Sequence, residues 1–139
     1  MTIDELKQYL DSYRLLDGHI NSLIEEKDRW KDRALRCTVS MHDGGSKSTV
    51  HNDIISYSVE KMIMLEKEID REIDRLVDMR QDIQKMLDSI SDERIKQLLY
   101  RKYILGQTLE QIGENMYLCT KQVGRDHRKA LQMLVDLYS

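Results

Sequence analysis

Proline and phenylalanine are both absent from the 139 residues. Long aliphatic and charged residues dominate instead, a composition typical of an almost wholly helical chain, so a β-sheet is not expected. With 40% hydrophobic and 34% charged residues, the length suits either one modest domain or a small domain with a long helical extension. We favour the second arrangement.

Cysteine is scarce, and long apolar runs are missing. Cys37 and Cys119 are far apart in the sequence and form no pair with metal-ligand spacing. The N-terminus has no basic start followed by an apolar run, so a reducing cytoplasm is the expected location. No stretch approaches the roughly 18 apolar residues of a membrane span, so no membrane partner is expected.

Basic residues are outnumbered over the whole chain, which carries a formal net charge of −3. The protein as a whole is therefore not a polyanion binder, and any nucleic-acid surface must be local. Residues 91–139 hold eight Lys or Arg against six Asp or Glu, a net charge of +2, which leaves −5 for the rest. The asymmetry is mild but favours a C-terminal nucleic-acid surface.

Two long helices are predicted in the first 90 residues. Residues 2–36 open with Thr2 and Glu5 as a capping box and then repeat apolar residues in heptads, interrupted at Lys27. Residues 53–90 carry apolar residues at strict seven-residue spacing, a strong coiled-coil pattern. The two seams consist of Leu6, Tyr9, Tyr13, Leu16, Ile20, Leu23, Trp30 and Ala34, and of Met62, Ile69, Leu76, Ile83 and Ile90.

These helices can pack as an antiparallel hairpin, although their seams are also long enough to recruit a second chain into a homodimer. The segment between them, residues 37–52, is polar and lacks periodicity, and Gly44 and Gly45 stand at its centre, so we expect a mobile loop there. Cys37, His42, Asp43 and His51 match no zinc spacing. No metal site and no phosphate-binding loop are predicted.

Residues 108–134 show the pattern of a helix-turn-helix, with two amphipathic segments at a period of 3.6 broken at residues 117–119. Gly106 can end the preceding helix in a left-handed conformation, and Thr108 with Gln111 forms a capping box. Two steeply crossing helices need a small residue at their closest approach, which Gly113 supplies. Leu118 is expected to point into the core, and Val123 is expected to seat the second helix on the first.

The second helix of this motif exposes a polar and basic face that suits phosphates and base edges in a major groove. We expect Lys121, Gln122 and Arg125 to face base edges, and Arg128 and Lys129 to lie closer to phosphates. A solvated charged face is the competing interpretation. The candidate DNA-binding residues are Thr120, Lys121, Gln122, Arg125, Arg128 and Lys129.

The stretch TLEQIGENMYLCTKQVGRDHRKAL resembles region 4 of sigma-70 family transcription factors, and DERIKQLLYRKYI resembles the helix that precedes that motif. With its helical leader, the chain is similar to small phage-encoded regulators of Gram-positive bacteria, including late-gene activators. The resemblance implies double-stranded DNA as partner, with RNA polymerase as a further one.

Several residues depart from the family's pattern. Tyr117 stands where many such turns carry glycine, which predicts either a strained positive φ or a turn of another shape. Asp126 replaces a usually apolar residue and Gly124 lowers helix propensity, which predicts loose docking of the second helix. Cys119 replaces the usual Ser or Thr cap, so Thr120 is the alternative N-cap.

The predicted fold is all-α: a helical hairpin over 1–90, followed by a three-helix, sigma-like module over 91–139. Its preceding helix is expected to bury Ile95, Leu98, Leu99 and Tyr103. The function predicted from the motif is a DNA-binding transcription regulator that reads a promoter or operator. The alternative is an interaction module that docks on RNA polymerase or another protein through the coil. No nucleophile with a base, metal set or cofactor loop is present in the sequence, so enzymatic activity is not expected.

Overall fold

The structure is a computed structural model that describes residues 1–44 and 48–138, without the side chains at 40–44, 48, 49 and 51. Within these ranges the chain is all-α and contains no strand, which confirms the predicted class. The helices are α1 (Ile3–Gly44), α2 (Ser48–Asp88), α3 (Glu93–Leu99), α4 (Leu109–Met116) and α5 (Thr120–Tyr138), with a π-helical turn, Tyr100–Ile104, directly after α3.

The predicted loop over residues 37–52 has the wrong boundaries. α1 continues to Gly44 and α2 begins at Ser48, so helix occupies most of that stretch. Ser, Thr, Val and His lower helix propensity by only tenths of a kcal/mol each, and no proline is present to stop either helix. The remaining residues, 45–47, lie outside the described part of the chain. The proposed mobility there stays a prediction.

The chain divides into two compact units, and their boundaries differ from those of the predicted domains. Unit 1 consists of Met1–Asp17 together with Leu76–Ser139, and unit 2 of Gly18–Arg75. The C-terminal module therefore includes the first turns of α1 and the last turns of α2. Periodicity along the sequence could not reveal this, because it shows which side of a helix is buried but not what covers it.

Unit 1 contains one continuous apolar core. The predicted core residues of α3 and the π turn are buried as expected, and α1 contributes residues to the same cluster. Leu10 was absent from the predicted seam, yet none of its surface is exposed. The largest fully buried side chains of unit 1 are those of Tyr103, Leu6, Leu10, Ile83, Leu87, Leu98, Leu99, Ile112, Leu131, Leu134 and Val123.

The helix starts of unit 1 follow the local sequence. Thr2 and Glu5 form the predicted capping box, with hydrogen bonds of 3.3 and 3.2 Å. α3 starts at a cap that was not predicted, since the Asp92 carboxylate accepts from the Arg94 N–H at 3.0 Å. Side-chain caps of this kind satisfy N–H groups that have no partner within the helix.

The carbonyl group at the end of the π turn accepts a hydrogen bond from a side chain of α1. The Arg14 guanidinium donates to the Ile104 carbonyl at 3.2 Å. Gly106 follows in the predicted left-handed conformation, with φ +71°, and a Cβ built on it would lie 2.6 Å from the Arg14 guanidinium. Glycine thus satisfies both the positive φ and the close approach at this position.

Unit 2 is formed by parts of α1 and α2 that contact each other in an antiparallel sense. Lys27 Nζ lies 4.0 Å from a Glu66 carboxylate oxygen, and the rings of Trp30 and Tyr57 meet edge to face with centroids 5.3 Å apart. Lys27 interrupts the seam as predicted and is only half-buried, so its ion pair contributes little to stability. Among the side chains of unit 2 that the structure describes, the buried apolar ones are Ile20, Leu23, Leu65 and Ile69.

Over the described ranges, none of the helices combines the length and the apolar character that crossing a membrane would require.

Candidate nucleic-acid interface

The turn between α4 and α5 adopts the backbone conformation for which glycine is the usual residue. Tyr117 has φ 58° and ψ 43°, in the left-handed region, and its N–H donates to the Gly113 carbonyl. The Leu118 N–H donates to the same carbonyl at 2.9 Å. Of the two alternatives for Tyr117, the strained positive φ is the one observed. Its side chain is 95% exposed, so it gains no packing in return.

Gly113 lies where α4 packs closely against the turn and against α5, a position that requires a small residue. A Cβ on this residue would lie 2.6 Å from the Leu118 carbonyl oxygen and 3.6 Å from Val123 Cγ2. Val123 is fully buried, and Leu118 packs against the core while remaining partly exposed. α4 itself begins with the predicted capping box, in which Thr108 and Gln111 exchange hydrogen bonds of 2.9 and 3.2 Å.

α5 begins at Thr120, so Cys119 holds the cap position and Thr120 does not replace it. The Cys119 carbonyl accepts from the Val123 N–H at 3.1 Å, the first hydrogen bond of the helix. The Cys119 thiol is free and exposed.

Asp126, which stands where an apolar residue is usual, has polar partners on α3 and α5, while the loose docking of α5 stays a prediction. The residue is 5% exposed, and one carboxylate oxygen lies 3.2 Å from an Arg94 guanidinium nitrogen on α3. The other oxygen accepts from the Gln122 amide at 2.9 Å. The buried Asp126 carboxylate and its cationic partner attach α5 to α3, because removing Arg94 would leave the carboxylate buried without a compensating charge.

A second polar contact in unit 1 joins α5 to the π turn and was not predicted. The Tyr103 hydroxyl and His127 Nε2 lie 2.6 Å apart, and both residues are buried. Burial lowers the pKa of His127 to about 4, helped by the positive charges of Lys102 and Lys7 and opposed by Asp11. Burial also raises the pKa of Tyr103. The histidine is therefore neutral at physiological pH and acts as a structural partner of the tyrosine.

Nothing in the sequence marks this pair, because the two residues are separated by 24 positions and one lies in a π turn. A polar residue on the buried face of an amphipathic helix was the only available signal, and His127 shares that face with Val123, Ala130 and Leu131.

The candidate DNA-binding residues lie within the first three turns of α5. Lys121, Arg125, Arg128 and Lys129 are all exposed, and their spacing of three or four residues brings them onto one side of the helix. None of these four cations forms an ion pair with any residue that the structure describes. Thr120 is exposed at the start of the same helix.

Gln122 differs from the other candidates. It is half-buried, and one amide hydrogen is engaged by Asp126. The amide oxygen and the second hydrogen remain available to a base edge. Its orientation is thus fixed by the carboxylate that attaches α5 to α3.

The basic surface does not extend onto α4. Glu110 and Glu114 are exposed there, which confines strong attraction for phosphates to α5 and its surroundings. Arg101 and Lys102 on the π turn are only half-exposed, and the Lys102 ammonium lies 6.0 Å from the centroid of the Tyr103 ring.

No cluster of three potential metal ligands occurs among the described side chains. Of the four residues considered for a metal in the predicted loop, only Cys37 has a described side chain.

Comparison with known proteins gave no match, whether to family models, to curated proteins or to solved structures.

Proposed function

We infer that this protein is a DNA-binding transcription regulator that inserts α5 into the major groove of double-stranded DNA. In this interpretation α3, α4 and α5 form a sigma-like helix-turn-helix module, α1 and α2 form a coiled hairpin, and the chain is a phage-type regulator acting in the cytoplasm. The geometry of unit 1 supports this proposal.

One observation carries the proposal: four cations project from one side of α5 and have no acidic partner among the described residues. In a chain with a net charge of −3, such a face is not explained by ion pairing within the protein. Phosphates attract this kind of face, and each neutralised phosphate releases condensed counterions.

The contacts that hold α5 in place also support its role as the recognition helix. Gly113 allows α4 close to the turn, and Asp126 orients Gln122 while binding Arg94. A recognition helix must present its side chains in a fixed orientation, because a bidentate contact to a base edge is lost when the donors move.

Selection of bound sequences from a random DNA pool, with and without RNA polymerase, tests the proposal first. Affinity for the selected site is then measured at two salt concentrations. Arg125→Ala should weaken binding by about 1 to 3 kcal/mol and relax sequence preference if the guanidinium contacts guanine. Lys129→Ala should weaken binding to all sequences and reduce the salt slope by about one.

Lys31→Ala serves as the matched control, because Lys31 is an exposed lysine of α1 in unit 2 and should leave DNA affinity unchanged. The decisive variant replaces Lys121, Arg125 and Arg128 together by Ala. If it stays folded and still binds the selected site like the parent, α5 is not the recognition helix.

A second candidate function is docking on a protein, either RNA polymerase or a second copy of this chain. Exposed apolar side chains favour it: Val59, Ile63 and Ile73 are 43, 48 and 39% exposed on α2, and helical spacing brings them onto one side. Sedimentation equilibrium distinguishes a homodimer from a monomer. A palindromic selected site would indicate a dimer, whereas one asymmetric element would favour a sigma-like monomer.

A further inference from the structure

Unit 2 has a cavity of about 550 Å³ that is open to solvent between α1 and α2. Its apolar lining is provided mainly by Trp30, Ile54 and Tyr57. Cavities of a few hundred Å³ that are lined by aromatic and aliphatic side chains, with a few polar groups, are typical of small-molecule sites.

Positive side chains outnumber negative ones at this cavity. Arg33 and Arg36 line it from α1, and Asp53 lines it from α2. The Arg33 guanidinium lies 4.7 Å from the centroid of the Trp30 ring. Neither arginine forms an ion pair with a residue in the described part of the chain. The cavity therefore offers unused guanidinium donors beside an apolar surface.

We propose that this cavity binds a small aromatic monoanion, with its ring against Trp30, Ile54 and Tyr57 and its carboxylate on Arg33 and Arg36. A guanidinium forms paired hydrogen bonds with a carboxylate and stacks on aromatic rings, which an ammonium does less well. Asp53 selects against a second negative charge, because a like charge within a few ångströms disfavours an anion. The site is independent of the DNA-binding role of α5.

The ring alone would bind weakly. Burial of a bicyclic aromatic ring in such a cavity is favourable, but the loss of motion on binding offsets most of the gain. The interaction with the guanidinium groups should therefore decide affinity. It should also decide which of several ligands with the same shape binds best.

The probes are three compounds that share one ring and differ in charge: 2-naphthoate, 2-naphthalenemethanol and 2-naphthylmethylammonium. Trp30 is the single tryptophan in the sequence, so its indole N–H gives one NMR signal that reports on this cavity alone. We expect 2-naphthoate to shift that signal at about 1 mM or below and to bind about tenfold more tightly than the ammonium compound.

The double variant R33Q/R36Q should lose this preference for the anion while keeping its weak affinity for the neutral alcohol. R29Q is the matched control, because Arg29 is an exposed arginine of α1 that does not line the cavity, and the preference should survive. Thermal unfolding of each variant verifies that unit 2 remains folded. An absent shift, equal binding of anion and cation, or an unchanged preference in R33Q/R36Q would each overturn the proposal.

Discussion

Leu10 and Leu23 lie on the same helix and both point away from solvent, yet they belong to different environments. Leu10 is in unit 1, where none of its surface is exposed and it belongs to a cluster built from five α-helices and the π turn. Leu23, 7% exposed, lies on a seam between two helices in unit 2. Where only two helices pack, as in unit 2, the partner helix covers an apolar residue from one side. In unit 1, several helices pack around the same core and leave less of each residue open to solvent.

The consequence is an uneven distribution of stability. The buried apolar residues of unit 1 form one continuous core, whereas few of the described apolar residues of unit 2 are buried, and Val59 and Ile63 are exposed on α2. Regions with few buried apolar contacts open locally at lower free energy. We therefore expect the amide hydrogens of unit 2 to exchange with solvent before those of unit 1.

The largest effect is expected from truncating the core of unit 1. Leu10→Ala should lower the free energy of unfolding by about 2 to 5 kcal/mol, because the surrounding residues cannot fill the space left behind. Leu23→Ala, the same substitution on the same helix, should cost less, since solvent can reach its site more easily. Urea denaturation of both variants measures the difference. Equal losses would mean that the two units are packed alike.

Acid should destabilise unit 1 through His127. Its pKa is about 4 in the folded protein against an ordinary 6.5, so the unfolded chain binds more protons between these values. Stability is therefore complete above about pH 6.5 and falls as the pH drops towards 4, by at most about 3 kcal/mol. Unfolding free energies measured from pH 7 to pH 4 test this expectation.

His127→Gln is the control for the acid experiment, because glutamine can still form a hydrogen bond with Tyr103 but does not titrate. The difference in pH dependence between parent and variant isolates the histidine from the carboxylates. Parallel stability curves would show that burial of His127 has no effect on its protonation.

Glycine substitutions compare a closely packed position with two open ones. Gly113→Ala should destabilise unit 1 by about 1 to 3 kcal/mol, because its Cβ would meet the backbone oxygen of Leu118. A Cβ on Gly18 in unit 2 or on Gly124 of α5 would meet nothing within 4 Å apart from the neighbouring backbone of its own helix, so alanine at either position should stabilise the protein by up to about 1 kcal/mol. The melting temperature should fall for Gly113→Ala and rise for Gly18→Ala and Gly124→Ala. A neutral Gly113→Ala would contradict the close approach.

The smallest effect is expected at Tyr117. Replacing it with glycine should stabilise the protein by roughly 1 kcal/mol, because glycine adopts the left-handed conformation without strain and the exposed ring packs against little. Tyr117→Ala retains the strain and should bring no such gain. Chemical denaturation resolves this difference. If the alanine variant gained as much as the glycine variant, the backbone would not be strained.

Much of unit 1 could be predicted from local sequence. The capping box at Thr108, the left-handed Gly106 and the small residue Gly113 each follow from backbone requirements that only a few residue types satisfy. Heptad spacing likewise identified the buried side of α1 and α2, since amphipathic helices carry their packing pattern in their own sequence.

Contacts between distant segments could not be predicted in this way. The ion pair of Asp126 joins it to Arg94, 32 positions earlier, and the pairing of His127 with Tyr103 depends on a π turn. The boundary between the two units was missed for the same reason. A charged or polar residue on a buried face can be recognised from sequence, but its partner cannot.

The core of unit 1 also affects the order in which the protein can fold during synthesis. Leu6 and Leu10 belong to the same cluster as Leu131 and Leu134, so the start of α1 depends on α5, which is translated more than a hundred residues later. Contacts so distant along the chain form slowly, because loop-closure entropy must be overcome before they add stability. In the nascent chain, the start of α1 therefore lacks its native partners. Any activity that depends on unit 1 should appear only after α5 has left the ribosome.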